Sequence, residues 1–288
     1  NLTCTANFAV THPLNIATTG TGAGTVLVTA ANVVERLIYT VAGNGIKYSD
    51  DGYRGDGGLA TNAQLQFLSA LVADSKGNLY FIQDGDGGGT LRKIDATGII
   101  NQVMVMGKDK YIGLFGSADN DLAVDNSGNL YITAAYDNKI LKIDENGIIS
   151  TAVGNGTAGY SGDGGLAANA QLSFPLYIAI DSNNNLYIVD YGNDCIRKVD
   201  TNGIISTVAG RGSQGRWDYN GLATNVQFNH LNRIALDRSG NLYIAEEHQI
   251  RKVDTTGMIS NIAGSDTSGY SEDGGPAINA KLSWVNSI

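Results

Sequence analysis

The sequence predicts an all-β protein in which one four-stranded antiparallel unit recurs along the chain. Four segments share a single pattern: LVADSKGNLYFIQ from Leu71, LAVDNSGNLYITA from Leu122, IAIDSNNNLYIVD from Ile178 and IALDRSGNLYIAE from Ile234. Their matching aspartates, Asp74, Asp125, Asp181 and Asp237, are separated by 51, 56 and 56 residues. A fixed period of this length indicates supersecondary units that stack on one another.

Each unit divides into four short apolar runs separated by turn residues. In the third copy the runs are Tyr177–Ile180, Leu186–Val189, Cys195–Val199 and Ile204–Ala209. Runs of four to six residues that are rich in Ile, Val and Tyr have the length and composition of β-strands. We therefore expect four strands per unit.

The turns between the runs predict that neighbouring strands are antiparallel. The first two strands are joined by DSNNN or a close variant, in which the aspartate can accept a hydrogen bond from the backbone two residues on. The last two strands are joined by DTNG or a close variant, with glycine where a positive φ is needed, at Gly98, Gly147, Gly203 and Gly257. Four antiparallel strands per unit, repeated radially, form the blades of a β-propeller.

The residue pattern resembles the NHL-repeat family. The similarity includes the GNLYI hairpin, the IRKVD third strand and the GIISTVAG fourth strand, and it extends from about Leu37 to the end of the sequence. The resemblance implies a propeller, most often with six blades. It implies no single function, because such propellers bind proteins, RNA or glycans and only a few are enzymes.

Five blades are expected, with six as the alternative. Four units are complete, and RLIYTVAG at 36–43 matches a fourth strand. NAKLSWVNSI at the C-terminus aligns with NAQLSFPLYI, which places Trp284 and Ile288 at the positions of Phe174 and Ile178. We expect this C-terminal strand to complete the N-terminal blade and both residues to be buried. The domain prediction is an arm with irregular strands at 1–35 and a propeller at 36–288, in one domain.

The same terminal strand could instead complete the blade of a neighbouring molecule. That contact would be heterologous and would repeat, giving a homo-oligomer or a filament. Closure within one chain is favoured by the higher effective concentration of the two ends.

Charge and hydropathy exclude two classes of partner. The net charge is −9 and the pI about 4.7, which disfavours binding to nucleic acid. No apolar stretch approaches eighteen residues, so no membrane-spanning segment is predicted. We expect the recurring basic pairs to form a solvated outer rim, at Arg92–Lys93, Arg197–Lys198 and Arg251–Lys252.

Cysteines and glycosylation sequons indicate an extracellular or secreted protein. Cys4 and Cys195 are the two cysteines, and a disulfide between them would hold the N-terminal arm on a blade. Two buried thiols are the alternative. Asn1 and Asn155 each begin an Asn-X-Thr glycosylation sequon.

Long loops join the units and share a recurring sequence pattern of their own. The copy at 159–172 reads GYSGDGGLAANAQL, which predicts a loop followed by one helical turn. We expect the leucine of this pattern to point inward, at Leu59, Leu166 and Leu222. The aspartate should cap an Asx turn, at Asp56, Asp163 and Asp273.

The loops between the second and third strands differ from unit to unit and should lie on the same face as the long loops. Variable loops on a repeated scaffold are where recognition usually occurs, so a protein or glycan ligand is expected on this face. Asp84 and Asp86 begin a pattern similar to a calcium loop, but it lacks the bidentate glutamate, so they are only weak candidates for binding calcium.

A central channel is where a propeller enzyme would hold its reactive groups. Alignment of the first strands places six polar residues near the channel mouth: Asn120, Asp121, Tyr177, Asn232, Arg233 and Asn286. They could hold a hard cation, although Arg233 brings a positive charge, and the three histidines are too few for a His-rich zinc site. We therefore expect a non-enzymatic binding or self-assembly module. The alternative is a metal-dependent hydrolase or lyase with its site at the channel mouth.

Overall fold

The computed structural model describes residues 15–19, 25–29, 40–46, 55–65, 67–83, 89–105, 120–211, 220–228, 230–265, 267–271 and 273–288. Regular structure in these ranges is β-strand or short 3-10 turn, which confirms the all-β class. The strands are β1 (Asn15–Thr19), β2 (Thr25–Thr29), β3 (Gly58–Leu59), β4 (Leu68–Ala73), β5 (Leu79–Gln83), β6 (Thr90–Ile94), β7 (Ile99–Val105), β8 (Leu122–Val124), β9 (Leu130–Ala134), β10 (Lys139–Ile143), β11 (Ile149–Val153), β12 (Pro175–Ile180), β13 (Leu186–Asp190), β14 (Cys195–Val199), β15 (Ile205–Ala209), β16 (Gly221–Leu222), β17 (Ile234–Leu236), β18 (Leu242–Ala245), β19 (Ile250–Val253) and β20 (Met258–Ala263).

The strands form four antiparallel sheets that match the four predicted units, together with the β1–β2 pair. Strands β4 to β7, β8 to β11, β12 to β15 and β17 to β20 each pair in chain order. The two-residue strands β3 and β16 extend two of these sheets by pairing with β7 and β20. The predicted repeating unit is therefore confirmed, while the number of blades and the closure of the ring stay predictions.

The hairpin aspartates organise the first turn of each unit as predicted. Asp181 Oδ1 accepts hydrogen bonds from the backbone N–H groups of Asn183 at 2.9 Å and Asn185 at 2.8 Å. Its Oδ2 accepts from Asn185 Nδ2 at 2.7 Å. Asp74, Asp125 and Asp237 accept the equivalent bonds. One carboxylate thus satisfies three donors of a tight turn, which explains why this turn is nearly uniform.

The long loops contain the predicted single turn, a 3-10 turn that begins at an alanine: Ala60–Asn62, Ala167–Asn169, Ala223–Asn225 and Ala277–Asn279. The prediction that the preceding leucine points inward is wrong, because Leu59, Leu166 and Leu222 are 50, 58 and 52% exposed. These leucines lie at the sheet edge, opposite residues such as Ile99 and Met258. Because side chains alternate along extended backbone, the following alanine is the buried residue, as at Ala60, Ala167 and Ala223.

The recurring arginines are buried, so the predicted solvated rim of Arg-Lys pairs is wrong for its arginines. Arg92, Arg197 and Arg251 are 0, 0 and 3% exposed. Each lies in the third strand of its sheet, opposite an apolar residue of the second strand. The neighbouring lysines are partly exposed, and Lys198 Nζ lies 5.4 Å from the centroid of the Tyr187 ring.

The loop aspartates bind these arginines, and the predicted Asx-turn role is wrong for two of them. Asp56 Oδ1 accepts from Arg92 Nη2 at 2.7 Å, and Asp163 Oδ1 accepts from Arg197 Nη2 at the same distance. A charge can be buried in this way only if it is paired and hydrogen-bonded. The long loops that contain Asp56 and Asp163 are therefore each fastened to a sheet by an ion pair.

The chain divides into two compact units, 1–111 with 115–118, and 112–114 with 119–288. In the first unit, Phe81, Ile94 and Ile100 pack with Ala60 and Ala63 in a core between sheet and loop. In the second unit, comparable cores lie around Ile188 and Ile244. The predicted domain limits at 1–35 and 36–288 remain untested, since most of the first range lies outside the described residues.

Candidate binding face

One end of the sheets in the second unit carries the variable loops. Strand β12 begins, β13 ends and β14 begins at this end, and the same holds for the neighbouring sheets. We call this surface the loop face. It is formed by the hairpins 135–138, 191–194 and 246–249 and by the entering segments 173–174, 230–233 and 284–286.

Three aromatic rings form a column on the loop face. The Phe174 ring contacts the Tyr136 ring edge-on, with centroids 5.1 Å apart and planes at 87°. Its distance to the Tyr191 ring is 6.5 Å, with planes at 62°. Tyr136 is 54% exposed and the other two rings are partly exposed. Edge-to-face geometry is the favoured arrangement of aromatic pairs, so the column is a defined and partly solvent-facing apolar surface.

The backbone that carries Phe174 is held from two sheets. Its N–H donates to Asn138 Oδ1 at 3.0 Å, in the hairpin that follows β9. The N–H of Ser173 donates to Asp190 Oδ1 at 2.7 Å, and the Ser173 carbonyl accepts from Gly192 N at 2.8 Å. Burial raises the pKa of Asp190 to about 6, against the opposing effects of its hydrogen bonds and of Arg197. The backbone that carries the ring is therefore held by polar contacts on two sheets.

Phe174 also has a backbone conformation that is uncommon for a residue with a side chain. Its φ is 50°, and the equivalent residues of two later copies, His230 and Trp284, have φ of 52° and 50°. Phe67, in the first unit, has φ of 42°. Positive φ outside glycine stores strain, and such residues cluster at functional sites.

These recurring rings are exposed, which corrects the burial predicted for the C-terminal residues. Trp284 is 56% exposed and its counterpart Phe67 is 74% exposed. Ile288 is 41% exposed, although its counterpart Ile178 is 5% exposed. The prediction that Trp284 and Ile288 are buried is wrong because, among the described residues, no second strand pairs with this segment.

A second aromatic group on the loop face contains two histidines and an acid. The Trp284 ring lies 6.3 Å from the His230 ring and 6.4 Å from the His248 ring, both edge-on. Glu247 lies between the histidines, 3.5 Å from His230 Nδ1 and 3.4 Å from His248 Nε2. The backbone carbonyl of Glu247 also accepts from the N–H of Val285 at 3.1 Å, which holds the Trp284 segment on the hairpin.

Three of the predicted channel-mouth residues come together across three sheets. Arg233 Nη1 donates to Asp121 Oδ1 at 2.9 Å, and the Arg233 guanidinium lies 4.8 Å from the centroid of the Tyr177 ring. Asp121 Oδ2 accepts from the N–H of Ile178 at 3.0 Å. Burial raises the pKa of Asp121, while Arg233 acts in the opposite direction. Both carboxylate oxygens are thus occupied in linking sheets.

The other predicted channel-mouth residues take different positions. Asn120 is buried next to Asp121. Asn232 donates through Nδ2 to the Val285 carbonyl at 3.0 Å, and Asn286 is exposed. Three of the six predicted channel-mouth residues therefore come together, and they form one ion pair and one cation–π contact.

The described residues contain no group of three or more His, Cys, Asp or Glu side chains that could hold a metal ion. The weak calcium candidates Asp84 and Asp86 lie outside the described residues. No helix in the described part of the chain is long and apolar enough to cross a membrane.

Of the disulfide and glycosylation candidates, Cys4 and Asn1 also lie outside the described residues. Cys195 is 1% exposed, and burial raises the pKa of its thiol. Asn155 is exposed, with Nδ2 at 3.3 Å from the Asn169 carbonyl oxygen and Oδ1 accepting from Thr157 N. The disulfide and both glycosylation sites stay predictions.

Sequence reasoning missed the recurring aromatic position on the loop face. The signal was present, since the residues after QLQ, QLS, QFN and KLS are Phe67, Phe174, His230 and Trp284. An aromatic residue at this position suggests a buried side chain, and only the backbone conformation shows that the side chain points outward.

Comparison with known proteins connects this architecture to a family. The family model described as the teneurin NHL domain matches residues 156–222, which include the sheet β12 to β15. Teneurin-4 of Mus musculus is 30% identical over 241 residues, which are 73% of this chain and 8% of that protein. Teneurin-m of Drosophila melanogaster is 27% identical over 249 residues, which are 80% of this chain and 9% of that protein. The chain therefore spans less than a tenth of the length of these teneurins.

A solved structure supports the fold alone. An auxiliary nutrient binding protein from Bacteroides ovatus superposes with a TM-score of 0.53 at 19% identity, over 83% of this chain and 57% of that one. The repeated four-stranded sheets, the uniform aspartate turns and the matches in sequence agree with one another. The chain belongs to the NHL-repeat family of β-propeller proteins.

Proposed function

We propose that this chain is a non-enzymatic binding module that recognises a protein partner through the loop face. The observation that carries the proposal is the column of Tyr136, Phe174 and Tyr191, which is partly exposed and held by polar contacts from two sheets. Glycan binding on the same face is the competing outcome of the test below.

Two physical arguments support recognition by these rings. Aromatic residues dominate binding energy in protein interfaces because they bury much area and lose little conformational entropy. A ring that is fixed before binding loses still less, so pre-organisation raises affinity. Phe174, His230 and Trp284 have positive φ, and strained residues of this kind cluster at functional sites, which supports a role for these rings.

The metal-dependent alternative has less support at the channel mouth. A hard cation needs several oxygen ligands with free lone pairs. Asp121 already binds the Arg233 guanidinium and the Ile178 N–H, and the positive charge of Arg233 would repel a cation at this point. We therefore place the function in recognition and not in catalysis.

An extracellular location is part of the proposal. It rests on the Cys4–Cys195 pair and the sequons at Asn1 and Asn155, which suit an oxidising, glycosylating compartment. Assembly into a homo-oligomer or filament by exchange of the terminal strand remains a proposal alongside it. It is supported by the likeness of the C-terminal segment NAKLSWVNSI to the segment NAQLSFPLYI that leads into a first strand.

The test uses the intact chain as bait against an array of extracellular protein domains and a glycan array. We expect a protein binder whose affinity falls at least tenfold for Tyr136→Ala and for Trp284→Ala, as for interface anchors. Ile148→Ala is the matched control, since Ile148 is 63% exposed and lies at a turn on the opposite end of its sheet. A binding protein whose affinity falls equally for all three variants would contradict the proposal, and so would binding to glycans alone.

A further inference from the structure

The Asn-Gly pairs that begin at Asn44, Asn146, Asn155 and Asn202 have two kinds of surroundings. Asparagine before glycine is chemically labile, because a residue without a side chain leaves its backbone nitrogen open to reach the side-chain amide of the asparagine. Attack by that nitrogen on Cγ expels ammonia and gives a cyclic imide. Water then opens the imide to aspartate or isoaspartate. The local structure decides which of these pairs can react.

Two of the pairs lie in tight turns that oppose the attack. In the turn after β10, the Gly147 N–H donates to the Asp144 carbonyl at 2.9 Å, and the Asn146 N–H donates to Asp144 Oδ1 at the same distance. The turn after β14 has the same two bonds, with Asp200 as the acceptor. The attacking nitrogen is therefore engaged, and the nearby carboxylate would repel the negative charge that this nitrogen must develop.

Asn155 is held differently, in the segment that follows β11. Its Oδ1 accepts from the Thr157 N–H at 2.8 Å, and its Nδ2 donates to the Asn169 carbonyl at 3.3 Å. The first of these bonds polarises the side-chain carbonyl and holds it beside the Gly156 peptide. Among the described residues the Gly156 N–H has no acceptor, so this nitrogen is not engaged as it is in the tight turns.

The side chain of Lys139 lies against Gly156. A Cβ placed on Gly156 would be 3.0 Å from Lys139 Cε and 3.4 Å from Lys139 Nζ. Lys139 begins β10, which pairs with β11, and the segment with Asn155 continues from β11. A positive charge at this point stabilises the negative charge that develops first on the Gly156 nitrogen and then on the side-chain oxygen of Asn155.

Asn44 provides an internal comparison. Its Oδ1 accepts from the Ile46 N–H at 3.0 Å and its Nδ2 donates to the Asn62 carbonyl at 3.1 Å, which are the bonds that Asn155 makes at its own position. No described residue lies within 4 Å of a Cβ placed on Gly45. The two asparagines therefore share their hydrogen bonds and differ in the nearby ammonium.

We propose that Asn155 is a site of spontaneous deamidation, at which Lys139 assists attack by the Gly156 nitrogen. This nitrogen loses its proton to solvent and forms a bond to Asn155 Cγ. The bond between Cγ and Nδ2 then breaks, and Nδ2 takes a proton from solvent and leaves as ammonia. One water molecule opens the imide, so the net reaction converts an amide and water to a carboxylic acid and ammonia.

The product changes both the charge and the contacts of this segment. The new carboxylate lies near Lys139, and the Nδ2 donor that binds the Asn169 carbonyl is lost. A glycan on Nδ2 prevents the departure of free ammonia, so a chain glycosylated at Asn155 should keep this residue intact.

Peptide mapping of the intact chain by mass spectrometry is the first test, on protein made in a bacterial host that attaches no N-glycan. After incubation in mildly alkaline buffer, we expect Asn155 to deamidate at least about tenfold faster than Asn146 and Asn202, and faster than Asn44. Isoaspartate should form together with aspartate, since water can open the imide at either carbonyl. Equal rates at Asn155 and Asn146, or a product without isoaspartate, would overturn the proposal.

Variants of Lys139 test the role of the ammonium. Lys139→Gln should slow deamidation of Asn155 about threefold or more, whereas Lys139→Arg, which keeps the charge, should retain the fast rate. Lys142→Gln is the matched control on the same strand, since Lys142 Nζ lies 5.8 Å from the centroid of the Tyr131 ring. In concentrated urea the difference between Asn155 and Asn44 should disappear, because the chain is unfolded. Equal rates for Lys139→Gln and Lys142→Gln, or a difference that persists in urea, would refute the assignment.

Discussion

Replacement of Arg197 by leucine should destabilise the second unit strongly. The guanidinium is completely buried and binds Asp163 at 2.7 Å and Asp190 at 3.3 Å. It also donates to the Ser161 carbonyl at 3.1 Å and lies over the Tyr160 ring. Leucine would fill part of the space, as Leu141 does at the equivalent position of β10, but it would leave the Asp190 carboxylate buried without its counter-charge.

The expected cost follows from that unpaired carboxylate. Removal of one member of a buried ion pair typically lowers the free energy of unfolding by about 3–5 kcal/mol. In a domain of this size each kcal/mol shifts the melting temperature by about 2–4 °C, so a fall of about 10 °C is expected. The loss should be smaller at pH 5 than at pH 7, because the pKa of Asp190 is already raised to about 6 and its carboxyl group is more protonated at the lower pH.

Urea unfolding followed by circular dichroism measures this cost. Lys198→Leu is the matched control, since Lys198 is the adjacent residue in the strand and is only partly buried. The double variant Arg197→Leu, Asp190→Asn should regain part of the stability because a neutral amide no longer needs a counter-charge. A loss below about 1 kcal/mol for Arg197→Leu would refute the reasoning, since exposed ion pairs contribute no more than that.

Two other predictions concern Asp190 and the cysteines. Because burial raises the folded pKa of Asp190 to about 6 from 3.8, this group stabilises the fold below about pH 4, and its contribution is lost as the pH rises through 6. Between pH 4 and pH 7 the free energy of unfolding should therefore fall less for Asp190→Asn than for the natural chain. The difference between the two falls should be about 3 kcal/mol at most. Parallel curves of unfolding free energy against pH would contradict this. Peptide mapping without reduction should find Cys4 linked to Cys195, and alkylation of both thiols in native protein would remove the main support for an oxidising compartment.

The sequence by itself determined the repeating unit, because its determinants are local. The turn around Asp181 depends on contacts within four residues, and the turn at Gly203 on a positive φ of 77°. Alternation of apolar residues then defines the strands between such turns. These short-range rules made the all-β class, the four strands per unit and the single turn in each long loop predictable from the residues alone.

The tertiary structure decided which residues of each unit face solvent, because this depends on contacts between distant segments. Arg197 resembles a surface residue in sequence, yet Asp163, 34 positions earlier, and the end of β13 surround it and allow its burial. Phe174 and Trp284 resemble core residues, yet a positive φ turns them outward on the loop face. Asp121 and Arg233 are 112 residues apart and meet only because three sheets converge there. Local pattern sets the strands, whereas charge compensation and backbone direction across sheets determine which side chains the loop face exposes.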